Sequence, residues 1–339
     1  MTGPPTVTEM KTLTIEALAD RLAVPADTLI LMHRNPDGDA VGSAFALREF
    51  LVDRGCRAWC ICEGELPERL RFLANHAQDS VLLSSVPFDT TGARVISVDV
   101  ASPSQLGGLR ERFEAHTDLM IDHHATGTPF ADHYIDGHAA ATGEILFDLV
   151  RLSGRETPAR VFNRAAAFLY AAISSDTGCF RYSNVTPDTH RRAAELVACG
   201  IDCAEINHRL FDSKSMGQLR AEAMGALRLQ VFHGGRMAVI AFGYADRQAA
   251  GLSDCDLETL IDVARSLAGV EVAVTVRQPS DANVFRVSTR SADSYNVAAL
   301  CARFGGGGHE KAAGCTLTAP DIDSAVAILT DAVKFPDER

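Results

Sequence analysis

Thr28-Leu29-Ile30-Leu31-Met32-His33-Arg34-Asn35-Pro36-Asp37-Gly38-Asp39-Ala40 carries an apolar run straight into a loop bearing one histidine and two aspartates. Residues 28–33 read as a short buried strand. The spacing over 40–53, with Phe45, Leu47, Phe50 and Leu51 apolar and Gly55 closing it, predicts a helix. Residues 57–62, 95–100 and 118–122 read as further strands, with helical segments between several of them. Strand and helix alternating in this way imply an α/β fold built on a mainly parallel sheet covered on both faces.

In such a sheet ligands bind at the carboxyl ends of the strands. His33, Asp37 and Asp39 stand at or just beyond the end of the first strand. Asp99 ends Val95-Ile96-Ser97-Val98-Asp99, and Asp122, His123 and His124 end the next strand. Asp176 follows a long apolar helix, in Ile173-Ser174-Ser175-Asp176-Thr177-Gly178. Taken singly, each has an ordinary explanation: a turn, a helix cap, a solvated strand end, a surface histidine pair. Their joint occurrence at corresponding edges of successive elements favours one site. Imidazoles with several carboxylates form a hard N/O set suited to Mn²⁺ or Mg²⁺. Two such cations sharing a carboxylate activate water and neutralise charge on a phosphoryl group.

The pattern over 140–152, 159–173, 189–199 and 204–210 is helical. Beyond it, residues 228–232, 237–242, 271–277 and 284–289 read as strands, with helices around 257–266 and 296–303. The simplest parse is a catalytic domain over 1–190, a helical linker over 191–215 and a smaller α/β domain over 216–339. In that last part Arg286, Ser288 and Arg290 fall on one strand face by period-two spacing. Guanidinium groups so placed suit phosphate or a base. Gly305-Gly306-Gly307-Gly308-His309-Glu310-Lys311 lacks the GK[ST] ending of a nucleotide-binding phosphate loop. Its main-chain amides can still approach an anion, and a helix starting beyond them would help. No GxSxG elbow is present.

At 339 residues two domains are the natural expectation, and 47% hydrophobic residues fit a globular protein. The net charge of −12 argues against broad binding of long duplex nucleic acid. Nine scattered cysteines, without a CxxC, read as free core thiols in a reducing compartment. No apolar run is long enough to span a bilayer, and residues 1–10 lack a signal-peptide pattern, so a cytoplasmic protein is expected.

Together these motifs resemble the DHH–DHHA1 phosphoesterase family over about residues 25–318. His33 to Ser43 resembles its first motif, Val98-Asp99 its second, Asp122-His123-His124 its third and Ser175-Asp176-Thr177-Gly178 its fourth. Phe304-Gly305-Gly306-Gly307-Gly308-His309, followed by Ala312-Ala313-Gly314, resembles the DHHA1 signature. The two-domain length is similar to the family's NrnA-like group of bifunctional oligoribonucleases and pAp phosphatases. The resemblance implies two divalent cations, Mn²⁺ first, with Mg²⁺ or Co²⁺ as substitutes. His33, Asp37 and Asp99 would hold one, and Asp39, Asp99, His123 and Asp176 the other. Asp99 and Asp122 then count with His124 as catalytic residues: Asp122 orients ligands, and His124 contacts phosphate or assists the leaving group. Arg286, Ser288, Arg290, Gly305, Gly306, Gly307, Gly308 and His309 would hold the far end of the substrate. The partners implied are short RNA, linear or cyclic dinucleotides and pAp, with a homodimer as a candidate assembly. A cyclic di-AMP phosphodiesterase is the alternative; a RecJ-like exonuclease and a non-catalytic nucleotide-binding module rank below it. Gln105 stands where relatives often carry Arg, which leaves the contacts around it open.

Overall fold

The computed structural model describes residues 10–74, 78, 80–152, 159–292 and 295–335; the side chains of 159–161 and 309 lie outside that description. The chain divides into two compact units, the first ending at Ser213 and the second beginning at Lys214. No described helix is long and apolar enough to cross a membrane.

In the first unit β1 (Thr28–Leu31), β2 (Ala58–Ile61), β3 (Arg94–Val98), β4 (Leu119–Asp122) and β5 (Asp132–Ile135) form a sheet in the order β2-β1-β3-β4-β5. Every pairing is parallel. Strand β5 was not anticipated: Asp132-His133-Tyr134-Ile135 is half-buried throughout and shows no apolar alternation. Helices α1 (Ile15–Ala23), α2 (Gly38–Asp53), α3 (Thr142–Leu152), α4 (Ala159–Asp176) and α5 (Pro187–Ala198) belong to this unit. Asp37 caps α2 by accepting the Asp39 and Ala40 amides, so the helix begins two residues before the apolar pattern suggests. Asp176 is the last residue of α4 and not a loop residue beyond it.

Helix α2 is buried on nearly all sides, since it lies against α3, α4 and β2 at once. Its small residues let α4 approach. A Cβ on Gly42 would stand 2.4 Å from the Phe168 carbonyl oxygen and 2.9 Å from the Ala172 nitrogen. One on Gly38 would meet the Ser175 hydroxyl at 2.5 Å. The described cysteines are all free, and Cys56, Cys60 and Cys62 are buried in the core.

The second unit has a mixed sheet ordered β10-β11-β9-β8-β7-β6. The strands are β6 (Gln230–Phe232), β7 (Met237–Phe242), β8 (Val272–Arg277), β9 (Val284–Ser291), β10 (Gly307–His309) and β11 (Ala312–Thr318). Only β7 and β8 pair in parallel. Alternation sends Val239, Val274, Phe285 and Val287 to one face, under α8 (Val297–Ala302) and α9 (Ile322–Ala332). Ala238, Ile240 and Ala273 face α6 (Met216–Arg228) and α7 (Leu260–Arg265) on the other. The glycine run enters strand β10 and its hairpin, not a helix. No helix dipole therefore assists it, contrary to what the run suggested.

Candidate metal centre

The sheet order reverses between β1 and β3, and ligands of open α/β sheets bind at that crevice. His33 follows β1, Asp99 follows β3, and Asp122, His123 and His124 end β4. Asp37 and Asp39 start α2, and Asp176 ends α4. His33 Nε2 lies 3.9 Å from both Asp37 Oδ1 and Asp99 Oδ2. His123 Nε2 lies 3.2 Å from Asp176 Oδ2, 3.7 Å from Asp99 Oδ1 and 3.9 Å from Asp39 Oδ2. The two oxygens of Asp99 thus face two different groups. Ligand atoms about 2.1 Å from one octahedral cation lie roughly 3–4 Å apart, which is the spacing found here. His33–Asp37–Asp99 and Asp39–His123–Asp176 are each compact enough to hold a divalent ion.

The backbone and its neighbours set these orientations. Asp99 has φ 58°, a left-handed conformation that Asp tolerates better than most residues, and its N–H still reaches the Ile121 carbonyl. His123 Nδ1 donates to the Ala139 carbonyl at 3.1 Å, so Nε2 is the nitrogen turned to the carboxylates. His124 Nδ1 donates to Asp122 Oδ1 at 2.7 Å, and the same oxygen accepts the His123 amide. Asp99, His123 and His124 also form a compact group, through His124 Nδ1. Because that nitrogen is held by Asp122, the other two groups fit a cation better.

Burial, and then the crowding of Asp37, Asp176 and each other, pushes Asp39 and Asp99 up to about 7; burial likewise lifts Asp176 to about 6. For His33 and His123 burial pulls downward, but the facing carboxylates outweigh it and raise them to about 9 and about 11. Asp37 is also penalised by burial, yet its bond to His33 holds it below the usual carboxylate range. Crowded carboxylates that retain protons near neutrality are a donor set a cation would satisfy.

Without metal, the fold should therefore lose stability as pH rises. Between about pH 4 and 7 folded Asp39, Asp99 and Asp176 hold protons that the unfolded chain has released, so raising pH favours unfolding. The raised histidines add the same sign above about pH 6.5. Melting of chelated protein at pH 5 and pH 8 should show a drop of roughly 5 °C or more, which saturating Mn²⁺ removes. A chelated chain that melts higher at pH 8 would contradict this electrostatic account.

Residues 27–173 match the DHH family N-terminal domain, and residues 238–334 match the DHHA1 domain. Over 315 residues the chain is 33% identical to the bifunctional oligoribonuclease and PAP phosphatase NrnA of Thermus thermophilus, spanning 92% of this chain and 90% of that protein. The chain belongs to the DHH–DHHA1 phosphoesterase family. The NrnA of Bacillus subtilis is 28% identical over 310 residues, or 90% of this chain and 93% of that one. A crystal structure of an exopolyphosphatase-related protein from Bacteroides fragilis shares the fold, with TM-score 0.83, 21% identity and 94% of each chain covered.

In the DHHA1 unit Arg286, Ser288 and Arg290 do share one face of β9, with Arg286 the most exposed. Register places Ser288 beside Gly314, and Gly314 beside Gly307, in one row across three strands. A Cβ on Gly306 would stand 2.2 Å from the Gly314 carbonyl oxygen, so only glycine fits that approach. Arg286 Nη1 donates to Asp254 Oδ2 at 3.1 Å and Arg290 Nη1 to the Thr289 carbonyl at 3.0 Å. Gly305 precedes the row, Gly308 lies within β10, and the backbone of His309 ends that strand.

The DHH unit also contains supports that the motifs did not reveal. Thr142 Oγ1 donates to Asp99 Oδ1 at 3.0 Å, while the Thr142 and Gly143 amides donate to Asp39 at 2.7 and 3.0 Å. Ser43 Oγ donates to Asp39 Oδ1 at 2.8 Å; four residues on, it shares a helix face with Asp39, a signal the sequence does contain. Gln105 resolves its own question. Its Oε1 accepts the Ala101 and Ser102 amides, and its carbonyl accepts the Arg34 amide, tying the loop after Asp99 to the loop after His33. An arginine, which has no acceptor, could not make the side-chain half of that contact.

Proposed function

We propose that the chain is a divalent-metal phosphoesterase that cuts short oligoribonucleotides and linear dinucleotides such as pApA, and removes a phosphate from pAp. The observation carrying this reading is the single buried Asp99 carboxylate facing His33 with one oxygen and His123 with the other. His33, Asp37 and Asp99 would hold one cation, Mn²⁺ by preference, and Asp39, Asp99, His123 and Asp176 a second. Bound there, the pair would supply an activated water and neutralise the charge growing on the phosphoryl group. Asp122 keeps the Nδ1 proton on His124, which leaves Nε2 to touch the phosphate or deliver a proton to the departing oxygen. Burial opposes a charged His124, but Asp122 and Asp99 raise its proton affinity, which suits that task. Arg286, Ser288, Arg290, Gly305–Gly308 and His309 would take the far end of the substrate. The names and near-full-length coverage of the two NrnA relatives support the choice of short RNA and pAp. Free thiols such as Cys60 and Cys62 fit work in the reducing cytoplasm.

A substrate panel tests this reading: pAp, pApA, pGpG, RNA of two to five nucleotides and cyclic di-AMP, each with Mn²⁺, Mg²⁺ or Co²⁺, products resolved by size. Turnover of pAp and the short linear substrates, strongest with Mn²⁺, is expected. Rapid cleavage of cyclic di-AMP with every linear substrate inert would replace the proposal.

A further inference from the structure

The Asp99 carboxylate must keep Oδ1 towards His123 and Oδ2 towards His33, yet the terminal torsion of an aspartate is broad and does not fix this by itself. Thr142 supplies a restraint. It is wholly buried, and its hydroxyl donates to Asp99 Oδ1 at 3.0 Å. Its own amide, at the first turn of α3, donates to Asp39 Oδ2 at 2.7 Å. Asp39 Oδ1 already receives Ser43 Oγ and the Gly143 amide, so both lone pairs of that oxygen are used. Oδ2 therefore keeps one lone pair, on the oxygen that faces His123.

Building on the proposed two-cation function, we infer that Thr142 is the positioning residue that makes Asp99 a shared ligand. Its side chain fixes the rotation of Asp99 and its main chain fixes that of Asp39, so one residue couples the two candidate cation sites. With the hydroxyl removed, Asp99 turns about its terminal torsion and neither group keeps its oxygen at the right angle. Metal affinity then falls at both sites together, and the rate falls with it, while substrate affinity does not.

Thr142→Val keeps the branched shape and deletes the donor; Thr142→Ser keeps the donor and deletes a methyl. The full chain is stripped with chelator and titrated with Mn²⁺ by calorimetry and by electron paramagnetic resonance, alongside kcat and KM on pApA. The valine variant should bind Mn²⁺ roughly 10–100-fold more weakly and lose kcat in proportion at unchanged KM. The serine variant should stay within about threefold of the parent, since the hydrogen bond survives. A folded valine variant with parental Mn²⁺ affinity overturns the inference. So does a serine variant as impaired as the valine one, which also decides the matter should valine prevent folding. If the parent binds Mn²⁺ but cuts no phosphoester, the functional reading fails while the Mn²⁺ comparison still judges Thr142.

Discussion

Asp99→Asn should lower phosphoester hydrolysis by roughly three orders of magnitude or more, with the fold retained. Three decades correspond to about 4 kcal/mol of transition-state stabilisation, the scale expected when a shared cation ligand is lost. Asn is the informative replacement because of the backbone. At φ 58° an Ala would add strain, whereas Asn occupies the left-handed region readily and its Oδ1 can still accept from Thr142. The substitution thus removes charge and one ligand oxygen while sparing the local structure. Asp99→Ala should show the same loss with a lower melting temperature. Turnover, Mn²⁺ stoichiometry and thermal melting of both variants form the check. Undiminished turnover by a folded Asn variant would sink the two-cation mechanism.

Gly42 is the position where packing and helix propensity make opposite predictions. Propensity alone says that Gly42→Ala stabilises α2 by about 1 kcal/mol. Packing says the reverse, because the new methyl would meet main-chain atoms of α4 at 2.4 and 2.9 Å, and backbone cannot rotate out of the way. We expect packing to win. Gly42→Ala should destabilise the DHH unit by about 2–3 kcal/mol, a fall of roughly 5–10 °C, and Gly42→Val by more. Activity should fall further than stability explains. Asp39 rides on α2 and Asp176 on α4, and a displacement of about 1 Å between catalytic groups costs on the order of a hundredfold. A more stable alanine variant would show that the helices separate freely.

The local patterns were legible because they depend on short-range rules. Strand β1, helix α2 and the acidic loop between them follow from apolar spacing and a capping aspartate. Strand β5 was missed because its half-buried residues carry no period. The glycine run was read as a loop before a helix, but the hydrogen bonds that make it a strand go to Ala312–Gly314 across a hairpin.

By itself, the sequence determined which residue types stand at the strand ends, and so the class of chemistry. His33, Asp37, Asp39, Asp99, His123 and Asp176 are recognisable from their motifs because acids and imidazoles are scarce at such positions. Only the tertiary structure decided how they are aimed. Thr142 meets residues 43 and 103 positions away, and half of what it offers is a main-chain N–H that any non-proline residue would carry. The choice of imidazole nitrogen on His123 rests on one carbonyl, at Ala139, and the loop geometry beside Asp99 on one amide oxygen, at Gln105. Such contacts are set by where the folded backbone passes, and backbone donors and acceptors leave no mark in the identity of the residues that bear them.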